Sequence, residues 1–126
     1  MSFRTPLGRV RGLGSAKEGT HHWWAQRVTA IALVPLTVWI VVSILMLAGA
    51  DRGAIADWLG NPVTAGLLVM TILAAFHHGQ LGLQVVIEDY VHNEGWKIGL
   101  IVFVKLAALL FGGIGIVSVL MLAFGG

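Results

Sequence analysis

Two adjacent histidines, His77 and His78, stand inside an apolar block, and an acid–phenol pair, Asp89-Tyr90, closes that block at its far end. Ionisable side chains in such a setting are costly and mark a ligand site or a proton or ion path. Helical geometry separates the two imidazoles. With His78 at zero and about 100° per residue, Gly82 falls near 40°, Val85 near 340° and Asp89 near 20°. One stripe therefore carries an imidazole, a bare backbone and a carboxylate. A flat macrocycle lying against a helix needs a nitrogen ligand and, about a turn away, a residue too small to obstruct it. His78 and Gly82 supply that pair. The alternative is that His78 is a hydrogen-bonded packing residue. His77, Gln80 and Gln84 fall near 260°, 200° and 240° and suit hydrogen bonds with neighbouring helices.

Consecutive histidines diverge by about 100°, so His77 and His78 cannot ligate opposite faces of one iron. The remaining histidines, His21, His22 and His92, occupy terminal or loop positions. A six-coordinate, bis-histidine heme would thus take its second ligand from another chain. A stand-alone two-heme cytochrome, needing four buried ligands, is excluded. Tyr90 is either an interfacial anchor or a hydrogen-bond donor to a quinone carbonyl, with Asp89 orienting it or relaying protons. Arg27 is either a cationic flank or the partner of an anion such as a heme propionate, which its planar fork suits.

The elements that must hold these residues are membrane helices. The chain has 126 residues, 57% of them hydrophobic and only 11% charged, with a mean hydropathy of +0.87. Soluble domains carry about 25% charged residues, so there is too little material here for a water-facing surface. One domain is expected, all-α and integral to the membrane, with three transmembrane helices at about 28–49, 62–87 and 98–124. The first is long enough for roughly 33 Å of helix. Pro35 lies inside it, a kink that membrane helices tolerate. Asn61-Pro62 opens the second, proline being suited to a first helical turn. His77 and His78 then sit roughly 14–16 Å below the end of their span, near the bilayer centre.

Residues 1–21, rich in Gly, Ser, Arg and Lys, are expected to form an extended or disordered tail. It precedes its first apolar block by too much to be a cleavable signal. Residues 22–27 read as an interfacial segment, and 50–61 and 88–97 as loops. Of eight Lys and Arg residues, Arg4, Arg9, Arg11, Lys17 and Arg27 precede the first span and Lys97 lies in the second loop. This bias places the N-terminus and residues 88–97 on the cytoplasmic or matrix side and the C-terminus opposite. Lys105 lies about two turns into the third span, within snorkelling reach of the interface. The Gly-Gly-Ile-Gly stretch at 112–115 predicts close helix packing. The absence of cysteine excludes disulfides, thiolate ligands and iron–sulfur clusters, and a net charge of +2 gives no reason to expect a nucleic-acid partner.

With these residues placed, the chain resembles the hydrophobic membrane anchor of succinate dehydrogenase, one of two anchor subunits of that complex. The segment HGQLGLQVVIEDY (78–90) is similar to that family's signature: a histidine, a glycine four residues on, and an Asp-Tyr pair eleven and twelve residues after the histidine. HWWAQRVTA (22–30) is similar to the start of the family's first span. The likeness covers almost the whole chain, and the His-to-Asp-Tyr spacing is its most specific part. It implies a non-catalytic subunit of respiratory complex II in a bacterial or mitochondrial inner membrane. His78 would be an axial ligand of heme b, within a helix bundle shared with a second anchor subunit, and Gly82 would pack against the heme. Arg27 would lie near the propionates, and Tyr90 with Asp89 would meet ubiquinone. An iron–sulfur subunit and a flavoprotein subunit would complete the complex. The neighbouring His77 leaves two candidates for the ligand. Two other readings stand beside this one. A quinol:fumarate reductase anchor would use the same chemistry in reverse. A small transporter or assembly factor would use the histidine pair to carry protons, although no acidic residue lies mid-span to complete a relay.

Overall fold

The computed structural model describes residues 5–6 and 16–125. Within them the chain forms four helices and no strand: α1 (Ala16–Met46), α2 (Arg52–Gly60), α3 (Pro62–Tyr90) and α4 (Glu94–Phe124). Three of them, α1, α3 and α4, are long and apolar enough to cross a membrane, as the hydropathy pattern requires. Each extends beyond its expected apolar core. α1 begins at Ala16 rather than near Val28, so residues 16–21 of the expected tail are helical, and His21 and His22, expected in a terminal segment, lie inside α1. The tail's other residues, apart from Thr5 and Pro6, lie outside the described residues. Nothing between Ala16 and Arg27 breaks a helix, and the two tryptophans, Trp23 and Trp24, stack edge-on with centroids 5.0 Å apart on its first turns. Pro35 is accommodated within the continuous helix.

The segment expected as a first loop contains α2. Asp51 caps it, its carboxylate accepting from the Ala54 amide at 2.8 Å, an exchange that satisfies one of the orphan donors of a first turn. Gly49, at φ +80°, makes the turn out of α1, a backbone conformation that glycine adopts without a Cβ penalty. Trp58 of α2 then stacks on Trp39 of α1 at 5.9 Å. Asn61 caps α3 through the Val63 amide at 2.9 Å, with Pro62 at the first turn. Asn93 caps α4 through the Trp96 amide at 3.1 Å, which shortens the second loop to Val91–Asn93.

The long helices form a row rather than a closed bundle. α3 is central, packed against α1 on one side and α4 on the other, and α1 and α4 do not meet among the described residues. The contact between α3 and α4 is close at the predicted glycines. Gly112 is buried, a Cβ there would lie 3.5 Å from Phe76, and one at Gly115 would lie 3.4 Å from Ile72. Buried hydrophobic side chains are few, namely Leu36, Ala65, Leu81 and Ile87. A row of helices that leaves most of its leucine, isoleucine and valine uncovered is stable in lipid or against other membrane helices, and not in water.

Candidate functional site in the seam between α1 and α3

The first helix supplies the side of the site that periodicity within α3 does not reveal. Thr29 follows Arg27 by two residues. Its hydroxyl donates back to the Ala25 carbonyl at 2.6 Å, the local bond that threonine makes in apolar helices. The same oxygen lies 3.2 Å from Nδ1 of His78 on α3. Four residues further along α3, Gly82 faces Gln26, whose Nε2 would sit 3.7 Å from a Cβ built on the glycine. The pairs Thr29–His78 and Gln26–Gly82 set an antiparallel register that brings the first turns of α1 alongside the last turns of α3.

His78 is half-buried, and its Nε2 makes no hydrogen bond among the described residues. Three side-chain atoms are buried without a hydrogen-bond partner among the described residues: Gln26 Oε1 beside Gly82, His22 Nε2 one turn earlier on α1, and Gln84 Oε1 on α3. Buried polar atoms are partnered in roughly nine cases of ten, so orphans on this face of α1 mark a seam that a further polar group completes. A free imidazole nitrogen, a glycine one turn on whose only near neighbour is the Gln26 side chain, and an unpaired amide oxygen on that side chain are a donor set compatible with a heme. No group of three or more potential metal ligands gathers among the described residues. The seam offers one imidazole with an unpaired nitrogen, that of His78.

The other expected residues are placed differently. Arg27 lies between Gln26 and Thr29, at the depth of His78 and Gly82, but it is exposed and its guanidinium rests 4.8 Å over the Trp23 ring. At about 100° per residue it is turned some 160° around α1 from Thr29, away from the seam. Asp89 and Tyr90 end α3 and are exposed, Tyr90 to 77%. Neither side chain makes a hydrogen bond or ion pair among the described residues. The structure therefore joins His78 and Gly82 in one seam, with Asp89 and Tyr90 about 17–18 Å along the same helix.

His77 belongs to a separate set. Lys105 of α4 donates to Gln80 Oε1 at 3.2 Å, and Gln80 Nε2 lies 3.1 Å from His77 Nδ1. Lys105 is thus tied across to α3, where snorkelling to the interface was expected. A mid-span ammonium is less costly with an amide oxygen at hand. Farther along this face, Gln84 donates to Glu88 at 2.9 Å. Thr29 and Gln26 were the contributors that sequence reading missed as site residues. The signals for Thr29 were a hydroxyl set in an apolar run and its place in the 22–30 segment that resembles the family's first-span start.

Against this geometry, the comparisons with known proteins are consistent. Residues 1–114 match the model of the succinate dehydrogenase/fumarate reductase transmembrane subunit family. The chain is 37% identical over 108 residues to the succinate dehydrogenase hydrophobic membrane anchor subunit of Rickettsia bellii, covering 86% of each chain. Its identity to the subunit of the same name from Rickettsia conorii is 36% over 105 residues, 82% of this chain and 83% of that one. For the corresponding subunit of Paracoccus denitrificans the identity is 31% over 101 residues, 80% of this chain and 78% of that one. The chain therefore belongs to the succinate dehydrogenase/fumarate reductase transmembrane subunit family, in which it is a hydrophobic membrane anchor, a non-catalytic part of its complex.

Proposed function

We propose that this anchor holds heme b through His78 and contributes Tyr90 and Asp89 to a ubiquinone site, so that electrons from succinate reach the membrane quinone pool. The observation that carries this reading is His78 itself. It is an imidazole mid-helix in a membrane span, with Nδ1 engaged by Thr29 and Nε2 free. A heme bound there would supply a one-electron store beside the quinone site. The chain's own residues hold and orient. His78 would hold the heme through Nε2, and a second nitrogen would be supplied by a second anchor subunit seated on the open row of helices. Gly82 puts no side chain in the way of the macrocycle, which would displace the Gln26 amide that faces it. Arg27, at the same depth but exposed on the face of α1 turned from the seam, would pair with a propionate that extends round α1 to that face. At the cytoplasmic edge the Tyr90 hydroxyl donates to a quinone carbonyl, and Asp89 fixes that hydroxyl or passes a proton. An iron–sulfur subunit docks over this edge, and a flavoprotein subunit that oxidises succinate sits beyond it. We place this edge, with the N-terminus, in the cytoplasm or matrix, on the strength of the lysine and arginine bias. Succinate oxidation is favoured over fumarate reduction by the names of the three relatives above.

The direct test is purification through a tag on this chain after mild detergent extraction. The expected complex contains a flavoprotein, an iron–sulfur protein and a second small anchor, with a b-type absorbance that dithionite sharpens. Recovery of the chain alone, without flavin or heme, would sink the proposal and favour the transporter reading. For orientation, a reporter inserted at Asn93 should read as cytoplasmic or matrix-facing, and one fused after Gly126 as facing the other side. Both reporters on one side would contradict the arrangement.

A further inference from the structure

The two adjacent histidines are held by partners of opposite hydrogen-bonding character. Thr29 has a single hydroxyl proton, and the 2.6 Å contact with the Ala25 carbonyl takes it, the Gln26 carbonyl being farther at 3.2 Å. Toward His78 the oxygen can then only accept, so Nδ1 of His78 carries the ring proton. Nε2 is left as the lone-pair nitrogen, which is the form that ligates a metal. At His77 the logic runs the other way. The Lys105 ammonium has no lone pair, so its contact at 3.2 Å identifies the Gln80 oxygen. The amide nitrogen of Gln80 must then be the atom 3.1 Å from His77, and it donates to Nδ1. His77 carries its own proton on Nε2, and neither of its nitrogens is available.

We propose that Thr29 is a positioning residue that fixes His78 in the ligating tautomer, while the Lys105–Gln80 pair locks His77 in the non-ligating one. The inference rests on the heme reading above and settles which of the two imidazoles that reading uses. The Thr29 oxygen is polarised by its own short bond to Ala25, which makes it a better acceptor. A stronger Nδ1–H···O bond raises the basicity of Nε2 and so favours ferric over ferrous iron. Hydrogen bonding around the axial ligand is one of the means by which a protein sets a heme potential.

The test uses the intact complex, with the heme midpoint potential and the low-spin ferric resonance spectrum as readouts. Thr29→Val keeps the shape and removes the acceptor. It should shift the one-electron equilibrium toward ferrous heme by roughly three- to tenfold, tenfold being about 59 mV for one electron, and should alter the ferric spectrum. Thr29→Ser restores the hydroxyl and should return both readouts to wild-type values. Gln80→Leu should leave the potential within about twofold, because His77 is not the ligand. Where Thr29→Val loses heme while the other subunits still co-purify, and Thr29→Ser regains it, the proposal is equally supported. A wild-type potential and spectrum in Thr29→Val would overturn it. A shift in Gln80→Leu without one in Thr29→Val would overturn it in favour of His77. Failure of the underlying reading looks different: the wild-type complex would lack a b-type spectrum, or His78→Ala would keep it.

Discussion

His78→Ala should abolish the b-type absorbance of the purified complex, while His77→Ala should leave at least most of it. The asymmetry is large because one imidazole carries half of the axial ligation and no neighbour can replace it. His77 leaves α3 about 100° away and is bonded to Gln80, and His22 lies on another helix. Loss of one ligand of a bis-histidine pair leaves a five-coordinate iron, so even residual heme would change its spectrum. Gly82 provides a second view of the same surface. A Cβ there would meet only the Gln26 amide, at an ordinary 3.7 Å, so Gly82→Ala should retain heme and assembly. Gly82→Leu projects a branched side chain into the seam and should lower heme content severalfold with the subunits still associated. Absorbance that survives in His78→Ala and vanishes in His77→Ala would move the ligand by one residue. That result would also place the macrocycle on the α4 side of α3.

The spans were legible because an apolar block of membrane length has few alternatives. Both ends of the first, the end of the second and the start of the third were not. Hydropathy marks the lipid-facing part of a helix, whereas helices end where a backbone breaker or cap stands. α1 runs back to Ala16 through residues too polar to count as span, and α4 starts at Glu94 because Asn93 caps it. α2 escaped notice for a related reason. Its signals are the single cap at Asp51 and the stack of Trp58 on a distant Trp39, and nine residues are too few for periodicity to register. The site divides in the same way. The His78–Gly82–Asp89 stripe follows from the period of one helix, so sequence spacing is enough to find it. What faces the stripe depends on the register of α1 against α3, which no local pattern encodes. Thr29 and Gln26 entered only through that register. Lys105 is a further case: its depth was readable, but its partner Gln80 lies 25 residues away on another helix.

Tyr90→Phe should leave assembly and heme content near normal and lower ubiquinone reduction by roughly tenfold or more. The substitution keeps the ring, its bulk and its preference for the membrane interface, and removes only the hydroxyl. Tyr90 ends α3 with 77% of its surface exposed, and the hydroxyl makes no hydrogen bond among the described residues, so the fold does not depend on it. Losing one neutral hydrogen bond costs about 0.5–1.5 kcal/mol, which by itself amounts to about a tenfold effect at most. Poor placement of the reacting carbonyl adds to this, since small displacements of a reacting group are costly in rate. Succinate oxidation with an artificial soluble acceptor bypasses the quinone and should be unchanged, which separates a quinone defect from a damaged complex. Asp89→Asn should give a smaller loss, because the amide still holds the hydroxyl but cannot relay a proton. An interfacial anchor predicts the reverse: phenylalanine is tolerated at Tyr90, and only a small or charged replacement there weakens membrane integration. Normal ubiquinone turnover by Tyr90→Phe, in a complex that retains its heme and all its subunits, would remove Tyr90 from the quinone site.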